Sequence, residues 1–267
     1  MTAIDLLAEH TDFSRQEIKQ VMQKGALWLT QDKSTRRIRR ATKKLQTGQI
    51  LHLYYDANIL AQSGFQPELI ADEKDYSVWF KPAGMLSQGS KYGDHCTISR
   101  WAETHLQPQR NAFTVHRLDK ATSGLILIAH SKKAAIDLSR LFSEREISKY
   151  YQALVHGIPR MPLPFLIDSP LQNKQAITRI LSSQNSSDEN YSLLDIQILT
   201  GRKHQIRQHL AKIGHPVMGD RLYGKGITDN RDLCLTAYKM SFCSPFDKQK
   251  KNYELGSGYF PDFSPGK

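Results

Sequence analysis

The chain has 267 residues, 39% hydrophobic and 24% charged, and its 37 Lys plus Arg outnumber 26 Asp plus Glu to give a formal charge of +11. That composition excludes a disordered chain, and no apolar run approaches the roughly 20 residues that span a bilayer. A basic surplus of this size suits a polyanion, because neutralised phosphates release counterions, although many basic proteins bind no nucleic acid.

Met1–Glu9 carries Asp5 and Glu9 and lacks a basic start followed by an apolar stretch, so it does not read as a secretory leader and a cytoplasmic location is expected. Asp12 or Ser14 is placed to cap a helix, with Glu17 completing a capping box, Ile18, Val21 and Met22 at helical spacing, and Gly25 as its stop. Ala26–Thr30 and Ile50–Tyr55 read as short strands. Between them lies a basic run, Lys33, Arg36, Arg37, Arg39, Arg40, Lys43 and Lys44, which reads as a solvated loop or as a phosphate-tracking surface. Asp56–Pro67 reads as a linker. Beyond it, strands are expected at 76–80, 125–129, 151–155, 177–181 and 193–198, and helices at 97–106, 132–142 and 203–213. Without a regular βαβ rhythm this is an α+β fold with a largely antiparallel mixed sheet flanked by helices. The tail after Phe246 is rich in Lys, Gly and Pro and is expected to be loosely ordered.

Two stretches carry chemistry. His116-Arg117-Leu118-Asp119-Lys120-Ala121-Thr122-Ser123-Gly124-Leu125 sets a carboxylate among basic residues just before an apolar strand. By spacing alone it reads first as a surface loop whose aspartate caps or pairs locally. Thr200-Gly201-Arg202-Lys203-His204-Gln205-Ile206-Arg207-Gln208-His209-Leu210 opens a helix whose inward stripe is Ile206, Leu210 and Ile213. Arg207 flanks that stripe and needs a carboxylate or carbonyl partner, which a bidentate Arg–Asp pair would supply. Lys203, His204 and Gln208 remain free to meet phosphate. The three cysteines, Cys96, Cys234 and Cys243, form no C-x-x-C pair, and the ten histidines form no H-E-x-x-H motif. No metal or organic cofactor is expected.

HRLDKATSGL resembles the signature of the RluA-type RNA pseudouridine synthases. The likeness runs from about Glu73 to Phe246 through VWFKPAGM, KYYQALVHG and TGRKHQIRQHLAKIGHPVMGDRLYG. Phe80 and Gln88 depart from the family pattern, outside its catalytic positions. The resemblance implies the pseudouridine synthase fold over residues 60–267, with Asp119 as catalytic aspartate. It further implies Tyr151 as the aromatic that stacks on the base and can deprotonate it, and Arg207 as the arginine that pairs with the aspartate. Arg117, Arg202, Lys203 and His204 are assigned to RNA binding. Phe13–Leu53 resembles the alpha-L RNA-binding module, with a longer basic stretch in place of its usual short turn. That makes residues 1–59 a degenerate RNA-binding module, with Arg36, Arg37, Arg39 and Arg40 as its phosphate contacts.

The implied reaction detaches uracil from ribose, turns it and rejoins it through carbon 5. One carboxylate then suffices, whereas a hydrolytic glycosidase normally needs two. Asp119 can attack the anomeric carbon, attack the base, or remove a ribose proton, and the resemblance leaves the three open. The expected partner is rRNA or tRNA, with no membrane and a monomeric protein. Two alternatives stand beside this. An inactive RNA-binding or ribosome-assembly protein of the same fold predicts erosion at Asp119, Tyr151 or Arg207, and all three are present. A hydrolytic nucleosidase requires a second carboxylate or a metal, for which no motif exists.

Overall fold

Thr2 and Ser14 each open a helix through a capping box, with Asp5 and Glu17 returning to the cap N–H groups at 3.0 and 2.7 Å. The helices are α1 (Ala3–His10) and α2 (Arg15–Gln23), and Gly25 ends the second with a left-handed φ of 85°. The chain then forms a three-stranded antiparallel sheet from β1 (Leu27–Gln31), β2 (Ser34–Arg37) and β3 (Ile50–Leu53), in the order β2-β1-β3. Ala3, Ile4, Leu7, Ile18 and Met22 of the helices bury against Leu27 and Leu29 of the central strand. The computed structural model describes residues 1–186, 190–224, 226 and 231–260.

The chain divides into two compact units, one of Met1–Phe65 with Gln88–Arg110 and one of Gln66–Ser87 with Asn111–Lys267. The first also holds α3 (Ala57–Leu60), inside the segment read as a linker, and α4 (Ile98–His105). Its basic stretch is not a long loop. Gln31 pairs with Ser34 across a two-residue turn, Asp32 takes φ 54°, and Ser34–Arg37 is a strand. Four polar side chains in a row hide this strand from any apolar pattern, while backbone bonds to β1 specify it.

The second unit is built on a ten-stranded sheet among the described residues. Its strands are β4 (Glu68–Asp72), β5 (Tyr76–Lys81), β6 (Phe113–Thr114), β7 (Ser123–Ala129), β8 (Ser148–His156), β9 (Phe165–Asp168), β10 (Ile177–Asn185), β11 (Tyr191–Ile198), β12 (Leu235–Cys243) and β13 (Lys250–Glu254). They lie in the order β4-β5-β7-β12-β8-β11-β10-β9, with β6 added to β7 and β13 to β12. The β7–β12 pair is parallel and the others are antiparallel, as the α+β reading expects. Two helices bury apolar stripes on this sheet: α5 (Lys132–Ser143) through Ala134, Leu138 and Leu141, and α6 (Gln205–Lys212) through Ile206 and Leu210. The tail after Phe246 is not loose where it is described. It supplies β13, paired with Lys239–Cys243, while 261–267 lie outside the described residues.

Gly124 marks where β7 meets β12. Its φ is 120°, and a Cβ there would overlap the Ala237 carbonyl and amide. Gly124→Ala is therefore expected to lower stability by about 3 kcal/mol or more, from strained backbone and overpacking together. A lower urea midpoint at unchanged slope is the check, and an unshifted midpoint would contradict the close approach.

Candidate active site

Asp119 sits in the loop between β6 and β7, and neighbouring backbone groups fix that loop. Ser87 Oγ accepts from the Leu118 N–H at 3.0 Å and donates to its carbonyl at 2.8 Å. The Gly84 N–H donates to the Lys120 carbonyl at 2.8 Å, and the Thr122 N–H to that of Asp119 at 3.1 Å. Lys81, at the end of β5 and fully buried, donates from Nζ to the carbonyls of Pro82, Met85 and Lys120 at 3.0, 2.9 and 3.4 Å. Burial pushes this ammonium down to about 7, against the pull of the Asp119 charge. The Lys-Pro-Ala-Gly segment is thus a strut under the aspartate loop.

Asp119 opens into a cleft of about 660 Å³, a size that suits a small ligand. Tyr151 of β8 lines the same cleft, and so do Arg117, Arg202, Lys203, His204 and Arg207. The structure therefore brings together every site residue that the sequence assigned to this unit. Among the described lining residues Asp119 is the one carboxylate, facing Arg117, Arg145, Lys149, Arg202, Lys203 and Arg207. Tyr151 is 8% exposed, and burial followed by the Asp119 charge holds its phenol well above the ordinary value. It remains a neutral aromatic at physiological pH. The His116 ring stacks on Phe142 at 4.2 Å and its Nε2 accepts from the Leu127 N–H at 2.9 Å. Desolvation, then Lys149, pushes it down to about 3, so it carries no charge.

One pairing differs from the expectation. Arg207 donates not to Asp119 but to Asp220, through Nε at 2.7 Å and Nη2 at 2.6 Å. Asp220 side-chain exposure is 0%, and its Oδ1 also accepts from the Leu222 and Tyr223 N–H groups at 3.0 and 3.1 Å. The Asp119 charge still reaches Arg207 and helps keep it protonated. Among the described residues, the side chain that comes within ion-pair distance of Asp119 is His204, whose Nε2 is 3.7 Å from Oδ1. His204 takes a left-handed φ of 52° at the start of α6 and meets the Tyr223 hydroxyl through Nδ1 at 3.0 Å. Burial lowers its affinity for a proton, partly offset by Asp119. Among the described residues no group of three or more His, Cys, Asp or Glu is arranged to hold a metal ion.

A family model described as RNA pseudouridylate synthase matches residues 75–212, which include Asp119, Tyr151 and Arg207. An uncharacterized RNA pseudouridine synthase of Aquifex aeolicus is 31% identical over 94% of this chain and 88% of that protein. The chain belongs to the RNA pseudouridylate synthase family. The synthase is also 35% identical to the dual-specificity RNA pseudouridine synthase RluA of Escherichia coli, over 54% of this chain and 70% of the relative. A Helicobacter pylori relative is matched at 33% over 59% of its length. The solved human RNA pseudouridylate synthase domain containing 1 shares the fold, with a TM-score of 0.59, 23% identity, and coverage of 73% of this chain and 85% of that one. The family's activity makes the synthase an isomerase acting on RNA. Among its described residues no helix is long and apolar enough to cross a membrane.

The remaining assigned residues lie in the first unit. Arg36 and Arg40 are exposed. Arg37 and Arg39 instead share the Asp94 carboxylate, Arg37 also reaching the Ser90 carbonyl and Arg39 the Gln23 carbonyl at 2.7 Å. Their charge is thus partly neutralised within the protein. Sequence reasoning missed Lys81, Lys149, Asp220 and Tyr223. Asp220 and Tyr223 lie in the matched GHPVMGDRLYG stretch, so the motif pointed to their region without giving their partners.

Proposed function

We propose that the synthase isomerises a uridine in structured rRNA or tRNA, with Asp119 as nucleophile. The observation that carries this reading is a single carboxylate set among cations and beside a buried aromatic. Breaking the bond from ribose to N1 leaves positive character on the ribose and negative charge on the base. Asp119 opposes the first by attacking the anomeric carbon or by taking a ribose proton, or else it acts by adding to the base. The Arg207 guanidinium in the cleft wall opposes the second. With no second carboxylate among the described lining residues to activate water, the detached uracil can turn and rejoin through carbon 5 rather than be lost.

Tyr151 serves as the surface on which the base stacks, worth ~1–3 kcal/mol by comparison with single-strand binding. Its neutral phenol suits stacking and hydrogen bonding better than proton abstraction. Arg207, locked by Asp220, supplies a fixed positive charge to the cleft. Extruding the nucleotide costs a few kcal/mol on the usual order-of-magnitude scale. Phosphate contacts from Arg117, Arg202 and Lys203 offset that cost, and Arg36 and Arg40 extend them if residues 1–59 act as an alpha-L-like module.

Tritium release from RNA labelled at carbon 5 of uridine tests the reading, since that hydrogen leaves only when carbon 5 becomes the attachment point. Release from rRNA or tRNA is the expected result and names the substrate class. Tight binding without release from either would support the inactive RNA-binding alternative.

A further inference from the structure

Among the described residues, Lys149 and Arg145 line the cleft without an ion-pair partner, and they take no part in the chemistry above. Lys149 precedes Tyr151 by two residues on β8, so both side chains stand on one face of the sheet and both line the cleft. Its Nζ lies 5.9 Å from the Phe142 ring centre, and a Cβ built on Gly201 would be 3.9 Å from it. No described carboxylate forms an ion pair with it. Burial lowers its proton affinity, and so does the like charge of Arg145 nearby.

Arg145 follows the end of α5 and also lines the cleft. Its φ is 63°, the left-handed conformation that a helix stop normally gives to glycine. An exposed arginine held there at conformational cost, near a half-buried lysine of the same sign, makes a site that favours an anion. A uracil carbonyl could accept from one of these donors but would leave the repulsion between them in place. A phosphodiester relieves both.

We propose that Lys149 and Arg145 form a clamp for a backbone phosphate of the RNA whose base enters the cleft. This rests on the reading of the cleft as the uridine site. Arg202, fixed by its Nε bond to the Gln175 carbonyl at 2.9 Å, also lines the cleft and can share the anion. The clamp anchors the nucleotide by its backbone while Tyr151 meets the base.

The test is binding of the full chain to an rRNA transcript and to tRNA over a series of salt concentrations, with Lys149→Gln, Arg145→Gly and Lys149→Arg. Arg145→Gly suits the left-handed backbone, so it removes the guanidinium without a folding penalty. Lys149→Gln and Arg145→Gly are each expected to weaken binding by about tenfold at moderate salt and to reduce the slope of log affinity against log salt by about 0.7–0.9. Lys149→Arg should keep the slope, and kcat at saturating RNA should not change. An unchanged slope in both charge-removing variants would overturn the clamp, and so would a fall in kcat with binding intact, which would put Lys149 in the chemistry. Slope changes without tritium release from the wild type would leave the clamp standing and remove the synthase reading instead.

Discussion

Asp119→Asn is expected to reduce kcat for tritium release by about 10⁴-fold or more, the scale on which removing a nucleophile acts. The amide keeps the volume and loses the charge. RNA affinity should hold or rise, because a negative charge leaves a cleft lined by Arg117, Arg202 and Lys203. A second readout is electrostatic. Asp119 raises the proton affinity of both His204 and Lys81, so both should titrate lower in the variant, as NMR would report. Retention of wild-type turnover would remove Asp119 from the chemistry, and an unmoved His204 would contradict the 3.7 Å approach.

Asp220→Ala is expected to cost about 3–5 kcal/mol of stability, because it leaves a buried guanidinium without its counter-charge. Arg207 and Asp220 side chains are 6% and 0% exposed, and two backbone N–H groups lose their acceptor as well. Urea denaturation measures the loss. Arg207→Leu combined with Asp220→Leu should lose less than the two single substitutions together, since neither charge is then stranded. The pH dependence has a definite sign. The bonds to Arg207 and to the backbone hold the Asp220 carboxyl below its ordinary value. Its contribution is therefore complete above the ordinary carboxylate range and is lost as pH falls through the lowered folded value. A loss below about 1 kcal/mol would mean that the pair is solvated rather than buried.

The stripe of Ile206 and Leu210 placed Arg207 at the edge of a buried face, and its need for a carboxylate followed from the cost of an unpaired charge. Which carboxylate answers that need depends on which loop lies against the helix. The Gly219–Tyr223 turn brings Asp220 there, and a Cβ on Gly219 would overlap the Asp232 carbonyl, so the turn is itself held by distant backbone. The basic stretch at 33–44 taught the opposite lesson, since its charges were plain while its strand and the Arg37 and Arg39 pairing to Asp94 were not.

The sequence by itself determined the capping box that Glu17 completes, the apolar faces of the helices, the strand at 193–198, and the motif residues Asp119, Tyr151 and Arg207. Each depends on bonds and periodicities spanning a few residues, or on a motif read in chain order. Only the tertiary structure decided that Asp119, Tyr151 and α6 share one cleft, that Lys81 braces the aspartate loop, that Asp220 holds Arg207, and that Lys149 and Arg145 line that same cleft. Charges act through space and burial sets their strength, so partner choice belongs to the packed chain and not to its order.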